Sequence, residues 1–142
     1  MSATTINQQS ILNKLNIESL NKMQNQAYNS ISTNLSTVLL SPTGTGKTVA
    51  FLLPIITNLD LHCFEIQALI IVPSRELALQ IEQVIRKMGT GIKTNAVYGG
   101  RPFSKDKIEL KHSPAILVGT PGRIADHLRK ETFSTDYLKT LV

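Results

Sequence analysis

Short apolar runs alternate along the chain with segments in which apolar side chains recur every three or four positions. The runs end at Pro or Gly, which is typical of buried strands, and the longer periodic segments are typical of amphipathic helices. The pattern predicts strands at residues 37–40, 68–72, 93–97 and 115–118, and the approach to a further strand at 137–142. It predicts helices at residues 8–15, 23–31, 46–59, 74–88 and 121–130. Strands separated by helices indicate an α/β domain with a mainly parallel sheet flanked by helices.

The ends of two predicted helices carry capping signals. Ser74 can cap the helix at 74–88, Glu76 lies in its first turn, and Gly89 follows as a stop. Thr120 can cap the last helix, with Pro121 at its first position. Each of these helices follows a predicted strand directly. Ligands of parallel α/β sheets bind beyond the carboxyl ends of the strands, so we expect functional residues at these turns.

Composition narrows the class of protein. The chain has 142 residues, enough for one domain, and its single cysteine excludes an internal disulfide or a zinc site built on several thiolates. The start lacks a secretory pattern, and the longest apolar run, 49–56, is too short to span a bilayer and contains Pro54. We therefore expect a cytoplasmic protein with no membrane contact.

The positive charge is concentrated in the second half. Residues 1–74 hold three basic and three acidic side chains, whereas residues 75–142 hold twelve basic and seven acidic ones, which gives the whole net charge of +5. This asymmetry favours a polyanionic partner on one face. A solvated loop surface is the alternative.

The segment Ser41–Thr48 has the pattern of a phosphate-binding loop, because it lies between a predicted strand and a predicted helix and ends in Gly-Lys-Thr. Gly44 and Gly46 allow the backbone to curve around a phosphate, and the helix N-terminus adds partial positive charge. Lys47 would reach the phosphates, and Thr48 would place its hydroxyl on Mg²⁺. Kinases, GTPases and helicases share this loop, so the surrounding residues must decide between them.

Further segments resemble motifs of the DEAD-box RNA helicases, in the same order. Residues 73–78 resemble the PTRELA motif, Gly99-Gly100 resembles the GG doublet, and residues 120–123 are identical to TPGR. Residues 23–27 are similar to the end of the Q motif, and the phosphate loop is similar to the family's form with Ser41 in place of Ala.

The resemblance covers about residues 15–142 and implies a RecA-like P-loop domain that binds ATP and Mg²⁺. It implies that the Gln24 amide recognises adenine and that Lys47 stabilises phosphate charge during catalysis. The nucleotide-binding residues that it implies are Gln24, Ser41, Pro42, Thr43, Gly44, Thr45, Gly46, Lys47 and Thr48, with Thr48 as the metal ligand. In the family the other motifs contact the RNA sugar-phosphate backbone independently of sequence. The RNA-binding residues that it implies are Pro73, Ser74, Arg75, Gly99, Gly100, Thr120, Pro121, Gly122 and Arg123. Arg75 could instead pair with Glu76 or Glu82.

The chain contains no Asp-Glu-Ala-Asp, the segment that in the family holds Mg²⁺ and orients the attacking water. We therefore expect residues 1–142 to be part of the first RecA-like domain, incomplete at the C-terminus, with the second RecA-like domain present only in the full-length protein. By family this is an ATP-dependent RNA helicase, and we expect the 142-residue chain alone to be inactive. Two alternatives stay open: a P-loop DNA helicase or translocase domain, and a non-catalytic nucleic-acid- or protein-binding module derived from a helicase.

Overall fold

The computed structural model describes residues 5–142, which form two compact units. The first unit comprises the described residues up to Leu59 together with Lys87–Thr90, and the second comprises Asp60–Arg86 and Gly91–Val142. Within residues 5–142 no helix is both long and apolar enough to cross a membrane.

The described part of the first unit contains three helices. These are α1 (Gln8–Lys14), α2 (Lys22–Thr33) and α3 (Lys47–Thr57). Helix α2 packs against α3, and the hydroxyls of Tyr28 and Thr57 lie 3.2 Å apart in a hydrogen bond between them. All three helices were predicted, with bounds that differ by at most two residues.

The predicted strand at residues 37–40 is wrong. This segment has no regular secondary structure, and the side chains of Val38 and Leu40 are 85% and 89% exposed. The described part of its unit contains helices and no strand, so the backbone N–H and C=O groups of the segment have no ladder to join within that unit. An apolar run indicates that burial is favourable, but it does not supply the partner strand.

The second unit contains a four-stranded parallel sheet in the order β2-β3-β1-β4. Its strands are β1 (Ala68–Ile71), β2 (Thr94–Val97), β3 (Ile116–Gly119) and β4 (Thr140–Leu141). Its helices are α4 (Arg75–Lys87, whose last residue belongs to the first unit), α5 (Phe103–Glu109) and α6 (Pro121–Arg129). The parallel α/β architecture predicted from the sequence is confirmed, including the strand near residue 140.

The core of the second unit joins the sheet to α6 through apolar side chains. Its buried members are Ile66, Leu69, Val97, Leu110, Leu117 and Ile124, with Phe133 and Leu138 packed against them. Gly119 lets α6 approach the sheet closely, because a Cβ at this position would lie 2.6 Å from Ile124 Cδ1 and 2.9 Å from Val97 Cγ2.

The predicted caps are confirmed in position. The Ser74 hydroxyl accepts a hydrogen bond from the Leu77 N–H at 3.2 Å. Thr120 occupies the N-cap of α6 with extended backbone angles and Pro121 follows it, although the Thr120 side chain makes no capping hydrogen bond. Helix α5 was not predicted, because residues 98–114 combine turn residues with charges and show little periodicity.

Candidate functional site

The phosphate loop in the first unit has the backbone that its glycines predict. Gly44 and Gly46 have φ angles of +81° and +85°, in the left-handed region that glycine adopts without strain. Gly46 directly precedes α3, and its carbonyl accepts the first helical hydrogen bond, from the Ala50 N–H at 3.1 Å. The N–H groups of the first turn of α3 have no helical acceptor, so they can bind an anion at this end.

Side chains of the loop bond to the loop itself. The Lys47 ammonium donates to the Ser41 carbonyl, and the Thr45 hydroxyl donates to the Pro42 carbonyl at 2.7 Å. The hydroxyls of Thr45 and Ser41 also share a hydrogen bond. Pro42 and Thr43 are exposed, and Thr48 is half-buried in the first turn of α3. The loop is therefore ordered by its own polar groups, with Lys47 held across it.

Gln24 lies against this loop. Its side-chain Oε1 accepts from the Asn21 N–H at 2.9 Å, which closes a capping box at the start of α2. Its Nε2 donates to the Gly46 carbonyl at 3.3 Å, and the Asn21 side chain donates to the Thr45 carbonyl at 3.1 Å. The structure therefore brings the Q-motif glutamine and the phosphate loop together, with both ends of the Gln24 amide already hydrogen-bonded.

The loop fits a nucleotide phosphate by these observations. A Cβ at Gly44 would meet no atom within 4 Å, so this side of the loop is open to a ligand. Magnesium fits less completely. No group of three or more His, Cys, Asp or Glu side chains that could hold a metal ion occurs within residues 5–142. Thr48 would contribute one hydroxyl oxygen, and phosphate oxygens and water would have to complete an octahedral shell.

In the second unit, three strands end in register at one edge of the sheet. Gly119 at the end of β3 is paired with Val97 at the end of β2 and with Ile71 at the end of β1. The Val72 N–H donates to the Gly119 carbonyl at 2.9 Å, and the Thr120 N–H donates to the Val97 carbonyl at 3.2 Å. Neighbouring strands lie about 4.8 Å apart, so the three strand ends span roughly 10 Å.

The predicted RNA-contacting motifs leave the sheet at these three ends. We call the surface formed by residues 73–75, 98–101 and 120–123 the motif edge. Its exposed residues are Pro73, Arg75, Gly99, Gly100, Pro121 and Gly122, and its half-buried residues are Ser74, Tyr98, Arg101, Thr120 and Arg123. A Cβ at Gly99, Gly100 or Gly122 would meet no atom within 4 Å. The structure therefore gathers the three motifs on one open surface.

Tyr98 and Arg101 belong to the motif edge but were not predicted from the sequence motifs. The guanidinium carbons of Arg75 and Arg101 lie 5.4 Å and 5.8 Å from the centroid of the Tyr98 ring, within range of cation–π attraction. Glu82 pairs with Arg86 at 2.8 Å rather than with Arg75. Arg101 directly follows Gly100 in the basic half of the chain, a signal that could have identified it.

A buried carboxylate lies behind the motif edge. Asp106 on α5 is fully buried, and its Oδ2 accepts from Arg123 Nε at 2.7 Å and from His127 Nε2 at 2.9 Å. Its Oδ1 lies 3.1 Å from Arg101 Nε, an ion-pair distance, but out of line with the N–H bond, so Oδ1 has no hydrogen-bond partner among the described residues. His127, on α6, is also fully buried, and its Nδ1 lies 2.6 Å from the Thr132 hydroxyl.

Arg123 is therefore more enclosed than the TPGR motif alone indicates. Its side chain is 11% exposed, and its guanidinium carbon lies 5.0 Å from the centroid of the Phe103 ring. In addition to its bond to Asp106, its Nη2 donates to the Arg101 carbonyl at 2.7 Å. These bonds connect α6 to α5 and to the turn that contains Gly100.

The fold and the loop together define a RecA-like P-loop domain: a parallel sheet with flanking helices, and a glycine loop that opens a helix. The family model for DEAD/DEAH box helicases matches residues 21–142, and the chain belongs to this family.

Curated relatives are helicases several times longer. The chain is 48% identical over 102 residues to the ATP-dependent RNA helicase CshA of Limosilactobacillus reuteri, covering 70% of this chain and 20% of that protein. It is 37% identical over 134 residues to the ATP-dependent RNA helicase DbpA of Escherichia coli (strain K12), covering 92% of this chain and 29% of that protein. The chain thus spans less than a third of the length of these relatives.

A solved structure shares the fold. It is that of a hypothetical ATP-dependent RNA helicase from Sulfolobus tokodaii, with a TM-score of 0.80 and 24% identity, covering 94% of this chain and 39% of the other.

Proposed function

We propose that this chain is the ATP-binding and RNA-backbone-binding portion of the first RecA-like domain of a DEAD-box ATP-dependent RNA helicase. Family membership supports the class of enzyme. The observation that carries the RNA part of the proposal is the register of β1, β3 and β2, whose ends present three motifs on one surface. A cytoplasmic location belongs to the same proposal.

The first unit would bind ATP with Mg²⁺. The N–H groups at the start of α3 and the Lys47 ammonium would bind phosphate oxygens, and Thr48 would be one ligand of the metal. Lys47 would exchange its bond to the Ser41 carbonyl for bonds to phosphate. To recognise adenine, the Gln24 amide would use the N–H and the oxygen lone pair that its bonds to Gly46 and Asn21 leave available.

The motif edge would bind the RNA backbone. Arg75 is exposed and carries the positive charge of its motif, while the glycines let a backbone approach closely. Such contacts go to phosphate and sugar, and they position a strand without reading its sequence. Binding should therefore be indifferent to sequence and should weaken as salt rises.

ATP-driven unwinding would need parts that the 142 residues do not contain. Phosphoryl transfer requires acids that hold the metal and orient water, and in the family it also requires an arginine from a second RecA-like domain. We propose that these parts belong to the full-length protein and that this chain contributes binding.

Competition between nucleic acids tests the proposal. A short fluorescein-labelled oligouridylate is titrated with the chain and followed by fluorescence anisotropy, with unlabelled RNA or DNA of matched sequence as competitor. Arg75→Met should weaken binding at low salt, because it removes a phosphate contact. Arg86→Met is the matched control, since Arg86 lies on the same helix, far from the motif edge, and pairs with Glu82.

The outcomes separate the candidate functions. Preference for RNA supports the proposal, because only RNA offers the 2′-hydroxyl. Equal competition by DNA would favour a DNA helicase or translocase domain. Equal effects of the two arginine substitutions would place the nucleic-acid surface elsewhere, and no binding at all would refute the RNA part of the proposal.

A further inference from the structure

Arg101 lies in the turn at residues 98–101 of the motif edge and contacts two carboxylates, one buried and one exposed. It directly follows Gly100 in the turn after β2, and its side chain is 20% exposed. Asp106, fully buried, lies 3.1 Å from its Nε. Glu109, at the end of α5 and 41% exposed, accepts a hydrogen bond from its Nη2 at 2.7 Å.

The two carboxylates differ in how easily an anion could replace them. Asp106 also accepts from Arg123 and His127, so removing it from Arg101 would disturb a buried network. Glu109 is held less firmly: its ion pair with Arg101 is open to water, and exposed ion pairs contribute little to stability. A phosphate could therefore take the place of Glu109 on Arg101.

Arginine suits this exchange. Its guanidinium offers five N–H donors in a planar fork that matches carboxylate and phosphate alike. The hydrogen bond to Glu109 raises the pKa of Arg101 above its already high ordinary value, so the side chain is charged at neutral pH. Tyr98 supports it from one side, since the Arg101 guanidinium lies 5.8 Å from the ring centroid.

We propose that Arg101 is a further phosphate-binding residue of the motif edge and that Glu109 competes with the RNA phosphate for it. The proposal rests on the proposed RNA-binding function and adds a regulating contact to it. Glu109 acts as an internal anion: it occupies the Arg101 fork in the free protein and is displaced when the backbone of RNA binds.

This competition predicts that removing the negative charge of Glu109 tightens the complex with RNA. Glu109→Gln keeps the size of the side chain but abolishes its charge, so it frees Arg101 for phosphate. Any acid-to-amide change also raises the net charge by one unit, which attracts RNA non-specifically. Asp126→Asn controls for this effect: Asp126 pairs with Arg129 on α6 and is 45% exposed, close to the exposure of Glu109.

Anisotropy titrations of the full 142-residue chain with the labelled oligouridylate test the proposal, at several salt concentrations. We expect Glu109→Gln to tighten binding by about twofold to fivefold at low salt, the equivalent of one exposed ion pair. Asp126→Asn should change it by clearly less. Arg101→Met should reduce the magnitude of the logarithmic salt slope by about 0.7, the value for one phosphate on a single strand, whereas Arg129→Met should not.

Combining the substitutions separates the explanations. In the Arg101→Met background, Glu109→Gln should have no more effect than Asp126→Asn, because its target is gone. A misfolded variant cannot imitate a tighter complex, so the gain in Glu109→Gln is informative by itself. Equal gains in Glu109→Gln and Asp126→Asn, or a gain that persists without Arg101, would refute the competition. If the unaltered chain binds no RNA, the proposed function fails first and this inference with it; RNA binding without the Glu109 effect leaves the function standing and overturns only the inference.

Discussion

Replacing Asp106 by alanine should destabilise the chain far more than replacing an ordinary surface acid. The Asp106 carboxylate is fully buried and has three cationic or hydrogen-donating neighbours, on Arg101, Arg123 and His127. Alanine would leave these groups facing each other without the anion that separates them. The connection between α5, α6 and the turn at Gly100 would loosen at the same time.

The magnitude follows from the burial of the partners. Removing one partner of a buried ion pair typically costs about 3–5 kcal/mol, because the other charge is left uncompensated. The Arg123 and Arg101 side chains are 11% and 20% exposed, so water can reach part of each guanidinium. We therefore expect the lower end, about 3 kcal/mol, out of roughly 5–15 kcal/mol for a typical domain. Asp106→Asn keeps an acceptor oxygen and should cost less, about 1–2 kcal/mol.

Urea unfolding followed by circular dichroism measures this loss, with Asp126→Ala as the matched control. Asp126 makes an exposed ion pair with Arg129, so its removal should cost at most about 1 kcal/mol. Similar unfolding midpoints for Asp106→Ala and Asp126→Ala would mean that the buried network contributes nothing beyond a surface pair.

Three further predictions concern ATP affinity, stability and ATP hydrolysis. Lys47→Ala should weaken ATP binding by about 1.5–3 kcal/mol in calorimetry, the value of a charge-assisted hydrogen bond, and unchanged affinity would contradict the site. Gly119→Ala should lower the free energy of unfolding by about 1–3 kcal/mol, because its Cβ would lie 2.6 Å from a buried Ile124 methyl, whereas Gly99→Ala, with open space around it, should be nearly neutral. In a phosphate-release assay the 142-residue chain should hydrolyse ATP no faster than its Lys47→Ala variant, and RNA-stimulated turnover that this variant lacks would overturn that expectation.

Local signals in the sequence predicted most of the fold. The runs at 68–72 and 115–118 became central strands because both of their faces are covered, which is the environment that continuous apolar runs require. Ser74 and Pro121 marked helix starts correctly, since capping depends on residues only three or four positions away. Helix α5 was missed because nothing in its own segment predicts that Asp106 is buried against Arg123 and His127, which lie 17 and 21 residues further along the chain.

In the candidate site, too, local motifs predicted some features, and contacts between distant residues determine the others. Motif spacing predicted which segments would gather at the strand ends, because parallel strands place successive loops on one edge. It did not predict how the side chains are used. The Gln24 amide accepts from the Asn21 N–H in a capping box and donates to the Gly46 carbonyl. The Arg123 guanidinium donates to Asp106 and to the Arg101 carbonyl. These hydrogen-bond partners depend on how the chain packs in three dimensions, which the sequence motifs do not specify.

Residues 37–40 show that local composition can also predict a strand that does not form. Val38 and Leu40 have the composition of a buried strand and directly precede the phosphate loop, yet both are exposed. A helix forms its backbone hydrogen bonds within its own segment, whereas a strand needs a neighbour, so strand propensity is conditional on a partner in a way that helix propensity is not. Helices α2 and α3 therefore form on either side of this segment within the first unit, while the segment between them stays irregular. The helices of that unit do not bury the apolar side chains of this segment. A strand that paired with it would form hydrogen bonds with its backbone and, at the same time, remove apolar surface from water.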